Sequence, residues 1–175
     1  MSSYTESLPP FDGLNLRKAF SNFATGVTIV TTVGENNEAI GLTVNSFSSV
    51  SLDPALVLWS LKKTSSSLEA FDSSGHFAVH ILSAAQAELS NRFASKTNQK
   101  FEGVDYRKGI MGMPVLNNCA SVFECKTVER LVAGDHVIFL GEVLAFARQD
   151  IDEQTLIFCQ GQYVKTKDSE LVTQN

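Results

Sequence analysis

The sequence is poor in residues that cross-link a chain or hold metals. Its three cysteines, Cys119, Cys125 and Cys159, form an odd set without CxxC spacing. Such a set favours neither a disulfide framework nor a zinc or iron–sulfur site. His76 and His80 lie in a segment that alternates like a strand, so we expect them to be structural. We therefore expect no bound metal, and we expect the cysteines to be small core residues in a reducing compartment.

Long apolar runs, clustered basic residues and a glycine-rich dinucleotide-binding fingerprint are also missing. The apolar run at residues 55–59 is far too short to span a membrane. Residues 1–10 lack the apolar core and the basic start of a signal peptide, so we expect a cytoplasmic protein without membrane contact. The net charge of −5, the pI near 5.2 and the scattered Lys and Arg residues disfavour a nucleic-acid-binding surface.

The patterns that are present predict a mainly β fold. Alternating or β-branched residues predict about six or seven strands, at residues 27–33, 39–47, 55–61, 76–82, 119–130, 136–147 and 156–159. The turn cluster at residues 34–37 makes the first two strands a hairpin. Strands and helices do not alternate as in a Rossmann domain, so we expect an antiparallel β-barrel with a few short helices.

Three short helices accompany these strands. A cap at Asp12 precedes the first, and Gly75 ends the second after residues 68–71. The third covers residues 84–93 and turns Ala85, Leu89 and Phe93 inward. Residues 96–113 are mostly polar and predict a loop or lid. The predicted organisation is one domain at residues 13–165. A flexible segment precedes it at residues 1–12, and a flexible tail follows at residues 166–175.

One segment combines strand alternation with many short polar side chains. Residues 41–54 have the sequence GLTVNSFSSVSLDP, and the open face of the predicted strand carries Thr43 and Asn45 before a run of serines. Hydroxyl and amide groups, with no charge before Asp53, suit a neutral, flat, hydrogen-bonding ligand such as a flavin ring. The same groups would also solvate one strand face ahead of a turn, so the pattern alone does not identify a ligand.

Two further segments predict ligand contacts. Residues 60–67 (SLKKTSSS) end a strand and open a helix, which suits a phosphate or, equally, an ordinary capping turn with exposed lysines. Residues 134–143 (GDHVIFLGEV) place His136 at the start of a strand. At the mouth of a barrel its imidazole would reach a bound ligand while Asp135 orients it; otherwise it bonds only to Asp135.

With these segments in view, the chain closely resembles the short-chain flavin reductase family. These are the FMN-binding split-barrel reductase components of two-component flavin monooxygenases. The resemblance spans roughly residues 14–163 and rests on six landmarks in order, at residues 23–27 (FATGV), 41–47 (GLTVNSF), 51–54 (SLDP), 92–94 (RFA), 134–136 (GDH) and 161–163 (GQY). Two positions depart from the pattern: Ala55 where many members have proline, and Gln162 where many have arginine, which removes a cationic contact.

The resemblance implies a set of flavin-binding residues. It implies that Thr43, Asn45 and Ser46 line the isoalloxazine ring, with help from Ser51. It implies that the ribityl chain and phosphate lie along Ser60, Leu61, Lys62, Ser65 and Ser66. The segment Phe93, Ala94 and Ser95 is expected to border the flavin, although Phe93 also has the spacing of a core residue and Arg92 that of a solvated cation. His136 is expected to position the nicotinamide.

The implied activity is hydride transfer from NADH or NADPH to FMN or FAD, with reduced flavin passed to a separate flavin-dependent oxygenase. Members of the family are homodimers, so a homodimer is expected here. Two rival functions stay open: reduction of a corrin or ferric chelate, and a flavin-binding electron carrier without NAD(P)H turnover. The choice of flavin, the choice of nicotinamide, the oxygenase partner and the tightness of flavin binding also stay open.

Overall fold

The fold is an antiparallel sheet with three short helices, seen in a computed structural model that describes residues 12–149 and 154–164. The helices are α1 (Gly13–Ser21), α2 (Leu68–Ser74) and α3 (Ala87–Ala94), with 3₁₀ turns at Ala84–Gln86 and Ile110–Gly112. The strands are β1 (Thr25–Gly26), β2 (Thr28–Val33), β3 (Ala39–Val44), β4 (Ser48–Leu52), β5 (Ala55–Lys62), β6 (His76–Ile81), β7 (Tyr106–Lys108), β8 (Pro114–Leu116), β9 (Ser121–Ala133), β10 (His136–Arg148), β11 (Ile157–Cys159) and β12 (Gln162–Val164). The expected flexible ends, Asp12 excepted, lie outside the described residues, so the domain boundaries stay a prediction.

Seven strands form the main sheet, in the order β3-β2-β6-β9-β10-β5-β4. Its two edge strands, β3 and β4, are joined by residues 45–47 alone, so the sheet must roll until its edges meet. Ser46 ties the link between these edges to β5, because its hydroxyl donates to Ser60 O (3.2 Å) and accepts from Ser60 N–H (3.0 Å). Along the rest of β3 the edge stays open. The predicted antiparallel split barrel is therefore confirmed.

Aromatic side chains fill the interior of this barrel. Trp59 on β5 stacks on Phe139 of β10 with ring centroids 4.8 Å apart, and Phe71 of α2 meets Trp59 edge-on at 4.8 Å. All three are fully buried. Side chains alternate along a strand, so the burial of Trp59 and Phe139 turns their sequence neighbours to the outer face of the sheet. This packing fixes which side of β5 and β10 faces the core.

Three predictions about local structure were wrong. Residues 96–113, predicted as a loop, include β7 and the 3₁₀ turn at Ile110–Gly112. The strand predicted for residues 39–47 ends at Val44, and a separate strand, β4, follows after a break that the run of serines does not reveal. Ala85 is exposed rather than inward, because a 3₁₀ turn with three residues per turn precedes α3 and rotates that side chain away. Leu89 and Phe93 do pack inward, half-buried and fully buried respectively.

His80 is held by backbone groups in the core, which agrees with the structural role expected for it. His80 is fully buried, with Nδ1 2.9 Å from Ile29 O and Nε2 accepting from Leu116 N–H at 3.1 Å. Burial lowers the pKa of His80 to about 4. Burial likewise raises the pKa of the Cys119 and Cys125 thiols, to about 11 and about 12. Within the described part of the chain, no helix is long and apolar enough to cross a membrane.

Candidate active site

A cleft of about 840 Å³ opens where the barrel is split, between β3, the segment after β5 and the segment after α3. Ten of the thirteen predicted site residues line it: Thr43, Asn45, Leu61, Lys62, Ser65, Ser66, Phe93, Ala94, Ser95 and His136. Three do not: Ser46, Ser51 and Ser60. The fold therefore brings residues that are distant in sequence to one site.

The open edge of β3 supplies backbone groups to this cleft. Gly41 O points away from β2, because it accepts a hydrogen bond from Lys100 Nζ (3.2 Å). Hydrogen-bonding groups of an antiparallel strand alternate between its two edges. The N–H of Gly41 and both backbone groups of Thr43 therefore face the cleft. These groups can bind the heteroatom edge of a planar ligand.

The side chain of Thr43 is used differently from the sequence expectation. Its hydroxyl donates to Ser90 O in α3 (2.7 Å), so it joins β3 to that helix and keeps only acceptor capacity. Gly41 also lies against the helix, since a Cβ there would stand 2.7 Å from the Phe93 ring and 3.1 Å from that of Phe101. β3 and the end of α3 are thus packed into one wall of the cleft.

The three predicted residues outside the cleft make contacts elsewhere. The Ser46 hydroxyl bonds to the backbone N–H and C=O of Ser60 where the barrel closes. Ser51 Oγ accepts from Asp53 N–H (3.2 Å) at the turn between β4 and β5. Their sequence pattern was indistinguishable from that of the residues that do line the cleft.

The segment between β5 and α2 forms the opposite wall. Lys62 and Ser66 are exposed, Ser65 is half-buried, and Lys63 N–H donates to Asp135 O (2.9 Å). That bond ties this wall to the turn before β10. Ser67 is the N-cap residue of α2, but its side chain makes no capping bond.

His136 stands at the rim beside this wall. It pairs across the sheet with Lys62, and its Nδ1 lies 2.7 Å from Asp135 Oδ1. The hydrogen bond from His136 and the imidazole charge lower the pKa of the exposed Asp135 carboxyl. With Nδ1 held by Asp135, Nε2 is the ring nitrogen left for a ligand. The expected orienting role of Asp135 agrees with this geometry.

Lys100 is a cleft residue that the sequence interpretation missed. Its ammonium donates to Phe93 O (2.9 Å) as well as to Gly41 O, and burial lowers its pKa. Its position within a long polar segment gave no indication that the chain folds back onto β3. Arg92, the neighbouring candidate, instead donates to Glu102 O (2.8 Å).

The charge of the cleft differs from that of the whole chain. Acidic residues outnumber Lys and Arg, 19 to 14. Among the described residues that line the cleft, Lys62, Lys96 and Lys100 are basic and none is Asp or Glu. A positive cleft in an acidic protein suits a ligand that carries phosphate groups.

Comparison with known proteins agrees with this geometry. Residues 20–167 match the flavin reductase-like domain. The chain is 46% identical over 138 residues to the FMN reductase (NADH) SmoA of Agrobacterium fabrum, covering 79% of this chain and 78% of that one. It is 43% identical over 131 residues to the reductase component of the flavin-dependent trigonelline monooxygenase of Acinetobacter baylyi, covering 75% of this chain and 42% of the relative.

Solved structures give the same picture. An NADH:FAD oxidoreductase of Streptomyces globisporus, in complex with NAD and FAD fragments, superposes with a TM-score of 0.86 at 34% identity. That match covers 95% of this chain and 99% of the other. Some curated relatives are longer, and the chain spans only 42–59% of their length. The extent of the domain match nevertheless decides the family: this chain belongs to the flavin reductase-like family.

Proposed function

We propose that this protein is an NAD(P)H-dependent flavin reductase that transfers hydride to FMN or FAD. The observation that carries the proposal is the cleft itself, which combines an open strand edge, three lysines without a carboxylate, and a histidine at the rim. A flavin ring needs neutral donors and acceptors along its heteroatom edge, and its phosphate needs cations. The two requirements are met on opposite walls of one cleft.

In this assignment the chain holds and orients the flavin as a substrate. The backbone groups of Gly41 and Thr43 bind the ring edge, with Asn45 beside them. Lys62, Ser65 and Ser66 bind the ribityl chain and phosphate from the opposite wall. The segment Phe93 to Ser95 closes the cleft next to the ring. Ser46 and Ser60 act indirectly by holding the barrel closed, and no binding role is proposed for Ser51.

His136 holds the nicotinamide over the flavin. The two cofactors carry the redox chemistry, and hydride transfer between them needs no acid or base from the protein. The protein must bring the donor carbon and the acceptor nitrogen close to contact distance. Nε2 of His136, at the rim, can donate to or accept from the carboxamide while Asp135 fixes the ring.

The direct test is an anaerobic mixture of the purified protein with NADH or NADPH and either FMN or FAD. We expect catalytic loss of NADH absorbance and bleaching of the flavin, at a rate proportional to protein concentration. Flavin binding without oxidation of either nicotinamide would instead favour an electron carrier. Steady-state constants for the four pairs would also identify the preferred flavin and nicotinamide.

The reduced flavin leaves, in our proposal, for a separate oxygenase in the cytoplasm. The Acinetobacter relative supports this, since it is itself the reductase component of a monooxygenase. We expect a cognate oxygenase to turn over when this protein, NADH and free flavin are present, even across a dialysis membrane that separates the two proteins.

We further propose a homodimer built on the outer face of β5, β9 and β10. Leu58 pairs with Leu140 and Ile138 with Leu131 across these strands, which places all four on one face. Leu131 is 57% exposed, and the other three are half-buried. A second copy of the chain would cover this apolar face.

A further inference from the structure

Lys100 is the cleft lysine whose charge is fixed in place by hydrogen bonds. One of its N–H groups reaches the open edge of β3 at Gly41 O, and another reaches the last turn of α3 at Phe93 O. Two backbone carbonyls therefore hold the ammonium, while its third N–H is available to a ligand. Lys62 and Lys96, by contrast, are exposed.

The position of this charge matters because of where the ring edge is proposed to lie. Gly41 and Thr43 are two residues apart on β3, roughly 7 Å along the strand. Between them they present the backbone groups assigned to the flavin edge. Lys100 is partly desolvated, so water screens its field less than that of a surface lysine.

We propose that Lys100 makes the cleft bind reduced flavin more tightly than oxidised flavin. The inference rests on the proposed function. A hydride from NADH brings two electrons and one proton to the neutral flavin, so NADH becomes NAD⁺ and the flavin gains one negative charge. That charge spreads over the heteroatom edge of the ring. A fixed cation beside this edge stabilises the product of hydride transfer and leaves the neutral oxidised ring almost unaffected.

The test compares the two oxidation states in Lys100→Met. We expect the Kd for anaerobically reduced FMN to rise about tenfold more than the Kd for oxidised FMN. The same ratio appears as a decrease of about 30 mV in the midpoint potential of bound FMN, since the couple transfers two electrons. Both quantities are measured at equilibrium, by fluorescence titration and by equilibration with a reference dye.

Matched variants separate charge from packing. Lys100→Arg should keep the original ratio of the Kd for oxidised FMN to the Kd for reduced FMN. Lys100→Gln should lower this ratio, although it keeps donors for both carbonyls. Lys96→Met removes an exposed lysine from the same cleft and should change both Kd values by the same factor. If Lys100→Met does not fold, Lys100→Gln carries the comparison.

Equal loss of affinity for both oxidation states would overturn the inference, because Lys100 would then only hold the chain against β3. An unchanged ratio in both Lys100→Met and Lys100→Gln would overturn it as well. Failure of the proposed function looks different: the unmodified protein would bind neither oxidised nor reduced flavin, or would bind flavin without oxidising NADH or NADPH.

Discussion

His136 is the residue whose proposed role is most easily separated from the fold. Its side chain is 35% exposed, it is the first residue of β10, and its hydrogen-bond partner is the adjacent Asp135. Loss of the imidazole therefore removes a contact at the rim without opening the core. The groups proposed to bind flavin lie on β3 and on the loop before α2, and we expect them to stay in place.

We expect His136→Ala to raise the KM for NADH roughly tenfold, as for loss of one or two hydrogen bonds, and to slow hydride transfer. The Kd for FMN should change less than about twofold. Stopped-flow reduction of FMN and a separate FMN titration measure the two effects. His76→Ala serves as the control, because His76 bonds to Ser74 O outside the cleft (3.0 Å). An equal loss of FMN affinity in His136→Ala would contradict the nicotinamide assignment.

His80 predicts a pH dependence of stability. Its folded-state pKa of about 4 lies below the usual histidine value of 6.5, because burial disfavours the imidazolium more than the Ile29 carbonyl and the nearby Glu124 favour it. Below pH 6.5 the unfolded chain binds a proton that the folded chain does not. The free energy of unfolding should therefore fall by about 3 kcal/mol between pH 6.5 and pH 4 from this residue alone.

Urea unfolding at several pH values, on the unmodified protein and on His80→Gln, measures this contribution as a difference in slope. NMR of the His80 ring gives an independent reading on the folded protein. Titration of that ring near pH 6.5 would show that it is not buried as described.

At the scale of elements, β3 and α3 meet so closely that only glycine fits at position 41. We expect Gly41→Ala to cost about 1–3 kcal/mol of stability, because the new Cβ must displace the buried Phe93 ring. It should also weaken flavin binding, since the same ring forms part of the cleft wall. Denaturant titration and FMN titration measure the two losses.

Gly26→Ala is the matched control for this change. A Cβ at Gly26 meets nothing within 4 Å, and the residue also lies in a strand. A stability loss of equal size in the two variants would mean that close packing at Gly41 is not the cause.

Elements with a clear period were predictable, and breaks within them were not. The alternation of residues 76–82 and the β-branched run at residues 27–33 predict β6 and β2 to within a residue or so. At the break between β3 and β4, Ser46 bonds to Ser60 of β5, a long-range contact that no local pattern encodes. The change from 3₁₀ to α geometry before α3 likewise could not be predicted from the helical spacing of apolar residues.

The same limit applies to the site. Short polar residues at the end of β3 and before α2 predicted two walls of the cleft. Lys100 could not be predicted, since its role follows from a chain reversal that brings residue 100 back to residue 41. Ser51 shows the opposite error, because its type and neighbours matched the pattern but the rolled sheet places it elsewhere.

At the scale of the whole molecule, the proposed dimer is testable without any ligand. We expect Leu131→Glu to give a monomer, because a carboxylate would be buried unpaired in the apolar face between two copies. Sedimentation velocity on the unmodified protein should show a dimer of the 19.1 kDa chain. Ser73→Glu changes an exposed residue on α2 and should leave the protein a dimer. A monomeric unmodified protein would contradict the proposed interface.

A crystal structure of the protein with FMN and NAD⁺ tests the central claim most directly. We predict the edge of the flavin ring against the backbone of Gly41 and Thr43, the phosphate near Lys62 and Ser65, and the nicotinamide beside His136. Flavin bound in the groove beneath α1, which Phe20, Phe23 and Phe158 line, or on any other surface with the split of the barrel left empty, would contradict it.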